Sequence, residues 1–174
     1  RLGLRPGELT EGYPSQAEAL FPFDLLVWDG IESDFFSAEQ LALTRDFIDR
    51  RGGAFLILGG AHLAGFADTP LENALPLVLQ AGHLPGPVRP QPTFAGFLSG
   101  VWALNAQPQA NRSAWAVQAP LAAANRFSLA RAGADVLARL EGGQPFFAWQ
   151  RYGEGRSAVM GGNGTWVWHM RSGA

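Results

Sequence analysis

The sequence predicts an α/β fold with a mostly parallel sheet and an antiparallel meander near its C-terminus. Three observations predict it: a strand–helix–strand pattern over residues 23–58, two apolar segments that each end in paired glycines, and closely spaced turns over residues 134–160. Strands joined by a crossover helix pair in parallel, whereas strands joined by short turns pair antiparallel. The 174 residues have the length of a single domain, residues 1–174.

The strand–helix–strand unit is the best-defined part of this pattern. A buried strand is predicted over residues 23–30, and Ser37 begins a helix because residues 37–40 have the form of a capping box. The apolar face of this helix comprises Leu41, Thr44, Phe47 and Ile48. Gly52-Gly53 ends the helix, and the next strand covers residues 54–58. The two strands should be parallel, with a right-handed crossover.

The middle of the chain carries weaker signals. Thr69 and the prolines at 70 and 76 predict a short helix over residues 69–76. Four prolines predict a loop or extended link over residues 82–92, and an Ala-rich segment over residues 110–125 predicts a short helix around Trp115.

The last third reads as three short strands separated by glycine turns. They cover residues 134–140, 145–152 and 156–160, which predicts the antiparallel meander. After Gly161-Gly162-Asn163-Gly164, a final helix follows, with Thr165 as its predicted cap.

Composition excludes several kinds of chemistry. All 13 basic residues are arginine and there is no cysteine, so Schiff-base lysines, phosphate-loop lysines and thiol nucleophiles are absent. The net charge is −2, and the sequence contains no cluster of basic residues. Both observations argue against a nucleic-acid partner. No stretch has the roughly 20 apolar residues of a membrane helix.

The two glycine turns predict a crevice. Both follow apolar strands, and if these strands are parallel, both turns lie at the carboxyl edge of the sheet, where open α/β folds bind ligands. Asp29 ends the first strand at the same edge. The candidate ligand-binding residues are Asp29, Gly59, Gly60, Ala61, His62 and Asn163.

His62 has two interpretations. It is either a general base that Asp29 orients or, more simply, a partly exposed polar residue in a loop. We expect His83 to be solvated in the proline-rich link and His169 to pack within the last helix. Three scattered histidines make no metal motif, so neither a metal nor a cofactor is predicted.

Other catalytic motifs are missing from the sequence. There is no G-x-S-x-G nucleophile elbow, and no G-x-G-x-x-G follows a strand. Four aromatic residues near the C-terminus predict a cluster that serves packing or stacks on a ring: Trp149, Tyr152, Trp166 and Trp168.

The order of several segments resembles the glutamine amidotransferase-like domains of the class I superfamily. The similarity is to the variant in large bacterial proteins with von Willebrand factor A modules and membrane helices. The resembling segments are residues 23–29, 37–41, 47–60, 69–72, 150–156 and 165–168.

The resemblance implies a flavodoxin-like three-layer sandwich. Class I amidotransferases carry a Cys at the first elbow and a His-x-Glu after a late strand. This chain has Gly59-Gly60-Ala61-His62 and Gly161-Gly162-Asn163-Gly164 at those places, so thiolate-dependent glutamine hydrolysis is excluded and no catalytic residue is carried over.

The functional prediction is therefore a non-catalytic binding or assembly module, a pseudoenzyme of that family. The alternatives are a diverged hydrolase, similar to the sugar-related ThuA-like proteins and using His62 and Asp29, and a purely structural domain. The expected partners are another protein, other domains of the same chain, or a small-molecule ligand. The chain begins without Met, and we expect a piece of a longer, membrane-associated protein of the bacterial cell envelope, with the cytoplasm as the alternative location.

Overall fold

A mixed six-stranded sheet forms the centre of the computed structural model, which describes residues 12–171. The strands are β1 (Leu25–Asp29), β2 (Ala54–Leu58), β3 (Leu77–Val88), β4 (Pro90–Pro92), β5 (Leu121–Ala130), β6 (Asp135–Leu140), β7 (Pro145–Tyr152) and β8 (Gly155–Met160). The helices are α1 (Ala17–Leu20), α2 (Ala38–Asp49), α3 (Phe94–Leu98), α4 (Pro108–Ala116) and α5 (Trp166–Arg171). The central sheet has the order β1-β2-β8-β7-β6-β4, and β3 pairs with β5 in a separate ribbon.

The strand–helix–strand prediction is confirmed in its order and direction, but the first strand was predicted as buried and β1 is an edge strand in which only Trp28 is buried. β1 and β2 are parallel and α2 connects them. The capping box is present, because Gln40 N donates to Ser37 Oγ at 3.2 Å and Ser37 N donates to Gln40 Oε1 at 3.0 Å. The four predicted core positions of α2 are all buried. The predicted hairpins are also present, since β6, β7 and β8 are antiparallel in sequence order.

The prediction of a mostly parallel, flavodoxin-like three-layer sandwich is wrong. The central sheet has two parallel pairings, β1–β2 and β2–β8, against three antiparallel ones, and the ribbon adds another antiparallel pairing. Only α2 reaches 12 residues, and the other described helices have four to nine. The described chain is therefore rich in strands, without the helical layers of that sandwich.

Residues 82–92 account for much of this difference. All except Arg89 belong to β3 or β4, whereas the sequence predicted a loop or extended link. The two glycines and Pro87 lie where the ribbon is irregular. The β3–β5 register shifts between Gln80 and His83 and again between Pro85 and Val88. A bulge leaves backbone groups unpaired, which is where a strand tolerates proline. Pro90 and Pro92 lie in β4, the last strand of the sheet, where proline is also tolerated.

The remaining predictions of local structure are mixed. A helix around Trp115 is confirmed as α4, but Leu121 to Asn125 belong to β5. The predicted helix over residues 69–76 is reduced to a 3₁₀ turn at Glu72–Ala74. A final helix is confirmed as α5.

Two apolar clusters hold the described elements together. The larger one surrounds Phe47 of α2 and Phe55 of β2, and the smaller one contains Trp102 and Trp115. α3 packs against β6, and α4 packs against β4. Within residues 12–171, no helix combines the length and apolar character needed to span a bilayer.

Candidate functional site

The two glycine turns meet at one edge of the sheet. In the parallel register, Asp29 is the partner of Leu58, and Leu58 is the partner of Met160, so β1, β2 and β8 end together. Gly59 N donates to Met160 O at 2.6 Å. The sequence-based expectation that both turns lie at the carboxyl edge of neighbouring strands agrees with this register.

Gly59 is required by close packing. It is buried, and a Cβ at this position would lie against Asn125 Oδ1 and 2.5 Å from Gly162 N. Any side chain would therefore push the two turns apart. The glycine serves the close approach of one backbone to another.

Asn125 of β5 forms hydrogen bonds with both backbone polar groups of Gly60, its N–H and its carbonyl oxygen. Gly60 N donates to Asn125 Oδ1 at 3.0 Å, and Asn125 Nδ2 donates to Gly60 O at 2.9 Å. Asn125 is 3% exposed. Its own backbone is also bonded, since Asn125 N donates to Gly161 O at 2.7 Å and Gln144 Nε2 donates to Asn125 O at 2.8 Å. Asn125 thus connects the ribbon with both glycine turns, with the first through its side chain and with the second through its backbone N–H.

His83 of β3 adds a further contact to the same peptide. It is the register partner of Asn125, and its Nε2 lies 3.1 Å from Gly60 O. Because a carbonyl oxygen only accepts, this hydrogen bond requires a proton on Nε2. The 3.4 Å contact between Asn125 Nδ2 and His83 Nε2 then joins two donors and is not a hydrogen bond.

A cavity of about 220 Å³ opens above the Gly60 peptide. Its lining consists of small apolar residues, amides and one imidazole: Gly60, Ala61, His83, Ala123, Ala124, Asn125, Gly162 and Asn163. Three of the six predicted ligand-binding residues are among them, Gly60, Ala61 and Asn163. None of the lining residues carries a carboxylate, a hydroxyl or a thiol.

Asp29 and His62 lie outside this cavity lining. His62 Nε2 is 3.2 Å from Glu32 Oε1, and both side chains are about half exposed. The structure shows no hydrogen bond between His62 and Asp29 among residues 12–171, so the partner predicted for His62 is replaced by Glu32. Asp29 is separated from the β8 turn by the whole of β2, and neighbouring strands lie about 4.8 Å apart.

Sequence reasoning missed the two residues that the ribbon contributes. His83 is exposed as predicted, but it belongs to a strand and contacts Gly60. Asn125 offered one signal, since it directly follows the apolar Ala122-Ala123-Ala124 segment, and a buried amide requires partners. Nothing local identifies those partners, which lie 65 positions away.

The aromatic residues near the C-terminus divide between two places. Trp168 packs on Trp115 and Trp102, with ring centroids 5.2 and 6.1 Å apart, whereas Trp166 is 67% exposed. Tyr152 borders the larger apolar cluster and Trp149 the smaller one. The single predicted cluster is therefore wrong. The side chain of His169 lies outside the described part of the chain.

The described residues include no group of three or more His, Cys, Asp or Glu side chains that could hold a metal ion.

Comparisons with known proteins identify structures with a similar fold, but they do not identify a function. No family model and no curated protein matches the chain. Its structure is similar to two cytoplasmic proteins of Salmonella typhimurium, STM3548 (TM-score 0.72, 18% identity) and STM1381 (TM-score 0.65, 20% identity). Each alignment covers 87% of this chain and 65% of the other chain, which is less than two thirds of its length.

The fold also matches part of the exo-beta-1,4-mannosidase Op5Man5 from an Opitutaceae bacterium, with a TM-score of 0.51 and 12% identity. That alignment covers 81% of this chain but 21% of the mannosidase. None of these proteins is named as a glutamine amidotransferase, so the pseudoenzyme interpretation gains no support from them. At such identities the likeness shows the fold alone.

Proposed function

We propose that this chain is a binding or assembly module that holds a small, neutral, hydrogen-bonding group in the cavity above Gly60. The observation that carries the proposal is the formed cavity itself, whose floor peptide is fixed by Asn125 and whose lining contains no carboxylate, hydroxyl or thiol. A catalytic site of the hydrolase type needs a nucleophile or an activated water beside a positioned base. The lining residues offer amides and an imidazole instead.

The size and polarity of the cavity indicate the kind of ligand. Its 220 Å³ is below the roughly 300–1,000 Å³ of drug-sized ligand pockets, so it suits one polar side chain or a very small molecule. No charged side chain lines it, which leaves a charged ligand without a partner. The exposed Asn163 amide can both donate and accept, as a carboxamide or a sugar hydroxyl requires.

Binding can be tested by recording amide spectra of ¹⁵N-labelled protein during titration with acetamide, D-mannose and acetate. We expect the neutral probes to shift the amide signals of Gly60, Gly162 and Asn163 in a saturable way, and acetate to leave them unchanged. Asn163→Ala should weaken binding about fivefold, the value of one hydrogen bond of about 1 kcal/mol.

Asn73→Ala is the matched control, because Asn73 is an exposed asparagine that does not line the cavity. It should bind like the parent protein. The proposal is wrong if no neutral probe shifts the cavity amides at millimolar concentration, or if both variants lose binding equally.

One observation favours the hydrolase alternative. His62 lies within hydrogen-bonding distance of a carboxylate, Glu32, and Glu32 borders a second recess of about 460 Å³ over residues 30–35. An imidazole oriented by a carboxylate can act as a general base. Hydrolysis of aryl glycosides that His62→Gln abolishes and His83→Gln leaves intact would favour this alternative, and absence of hydrolysis by the parent protein would count against it.

The proposed setting is a module in the cytoplasm. Its support is that both similar Salmonella proteins are named as cytoplasmic and that the fold aligns with about a fifth of a larger mannosidase. A membrane-associated or envelope setting has no such support.

A further inference from the structure

A third recess lies between the turn after α3, the end of α4 and the start of α5. It has a volume of about 500 Å³, within the range of small-molecule pockets. Trp102, Trp115 and Trp168 line it, together with Phe147 and Met160. It shares no lining residue with the cavity above Gly60.

The tryptophan rings are fixed by hydrogen bonds as well as by packing. Trp115 Nε1 donates to Trp102 O at 2.9 Å, and Trp168 Nε1 donates to Ala119 O at 2.8 Å. Asn111, 1% exposed, donates from Nδ2 to Trp102 O at 3.0 Å and accepts two backbone N–H groups at Oδ1. Because these contacts hold the rings in place, the recess can receive a ligand without first ordering its walls.

The polarity of the lining restricts the ligand. No charged residue lines the recess, and its polar members are Gln118 and Thr165. Trp102 is 4% exposed, yet its indole N–H donates to no residue among 12–171. No buried side-chain nitrogen in the described part lacks a partner, so this N–H reaches solvent. A bound acceptor could take that place.

We propose that this recess binds an uncharged small molecule with an aromatic ring and a hydrogen-bond acceptor. The ring would contact the three indoles, and the acceptor would take the Trp102 N–H. Aromatic rings pack edge-to-face or offset at centroid distances of 4.5–7 Å, a geometry that Trp115 and Trp168 already adopt with one another at 5.2 Å. An anionic ligand would lose its hydration without gaining a counter-charge.

Three bicyclic probes of similar shape separate these requirements. Quinoline has a ring and an acceptor, naphthalene has the ring alone, and 2-naphthoate carries a negative charge. Titration of ¹⁵N-labelled protein reports on the indole N–H signals of the six tryptophans. We expect quinoline to shift the Trp102 indole signal saturably and to bind about fivefold more tightly than naphthalene, the value of one hydrogen bond. The anion should not bind.

Two exposed valines supply a matched pair of variants. Val101 lines the recess and is 64% exposed, whereas Val117 is 81% exposed and does not line it. Val101→Arg should weaken quinoline binding about tenfold or more, since it places a charge at an apolar rim. Val117→Arg should leave it unchanged, and both variants should keep the thermal midpoint of the parent protein.

Several results would overturn the proposal. One is the absence of a saturable shift of any recess indole with quinoline, and another is equal binding by Val101→Arg and Val117→Arg. A dimer in light scattering that Val101→Arg dissociates would identify the recess as a self-association surface instead. Because the readouts are the recess indoles, failure here is distinguishable from failure at the Gly60 amides.

Discussion

Replacing Asn125 by Ala tests whether one buried amide holds the candidate site together. The side chain bonds the Gly60 N–H and the Gly60 carbonyl at once, and it is almost fully buried. Alanine removes both partners and leaves a small void between the ribbon and the turn. The Gly60 peptide would then face an apolar contact on the side where it now has an amide.

The magnitude follows from the groups left unpaired. A buried donor or acceptor without a partner costs about 1–3 kcal/mol. The Gly60 N–H loses its partner, whereas the carbonyl keeps the His83 contact at 3.1 Å and borders a cavity that water can enter. We therefore count one full penalty and part of a second, a loss of about 2–4 kcal/mol in the free energy of unfolding. For a chain of this length the midpoint should fall by roughly 4–16 °C.

Urea unfolding followed by circular dichroism measures this loss. Asn73→Ala is again the control, because it removes an exposed asparagine and should stay within about 0.5 kcal/mol of the parent protein. Amide exchange should increase at Gly60 in the Asn125 variant before it increases elsewhere. A loss below about 0.5 kcal/mol, or equal losses in both variants, would refute the claim that Asn125 organises this edge.

Three further predictions concern the elements around the site. Gly59→Ala should cost about 1–3 kcal/mol in urea unfolding because its Cβ would lie 2.5 Å from Gly162 N; an unchanged midpoint would contradict the close packing. Burial raises the pKa of Tyr13 to about 12, so stability held below pH 10 should be lost as the pH rises toward 12; Tyr13→Phe should remove that loss in unfolding curves recorded across this range. Ser37→Ala should cost about 1 kcal/mol through the lost helix cap, whereas Ser113→Ala, at an exposed position in α4, should change the unfolding free energy by less than about 0.5 kcal/mol.

The parts that the sequence predicted correctly depend on short-range patterns. The capping box at Ser37, the apolar face of α2 and the glycine stop after it are all set within about 16 residues. Strand direction follows from the connection, so β1 and β2 are parallel and β6, β7 and β8 alternate. Each of these inferences needs only the local spacing of apolar residues and the length of the segment that connects two strands.

The ribbon could not be predicted in this way. β3 contains Gly82, Pro85 and a Gly-Pro pair at 86–87. From the local sequence, such residues predict that a strand is interrupted. Pairing with β5 overrides them because the irregular positions coincide with the register shifts. The predicted fold class was wrong for the same reason, since a segment read as a loop supplies a second sheet in place of a further βα unit.

The same long-range pairing decides what the candidate site can be. The glycine turns at 59–60 and 161–162 contribute only backbone groups to the cavity. Asp29 and His62, which were predicted to line it with them, lie outside its lining. The polar groups that reach the cavity from the ribbon are His83 and Asn125, which come together only because β3 pairs with β5. The Asn125 side chain is already committed to both polar groups of Gly60, so it can orient that peptide but has little capacity left for a ligand. Recognition would therefore fall to His83 and Asn163, which line the cavity beside a peptide held in place, an arrangement suited to binding a small neutral group.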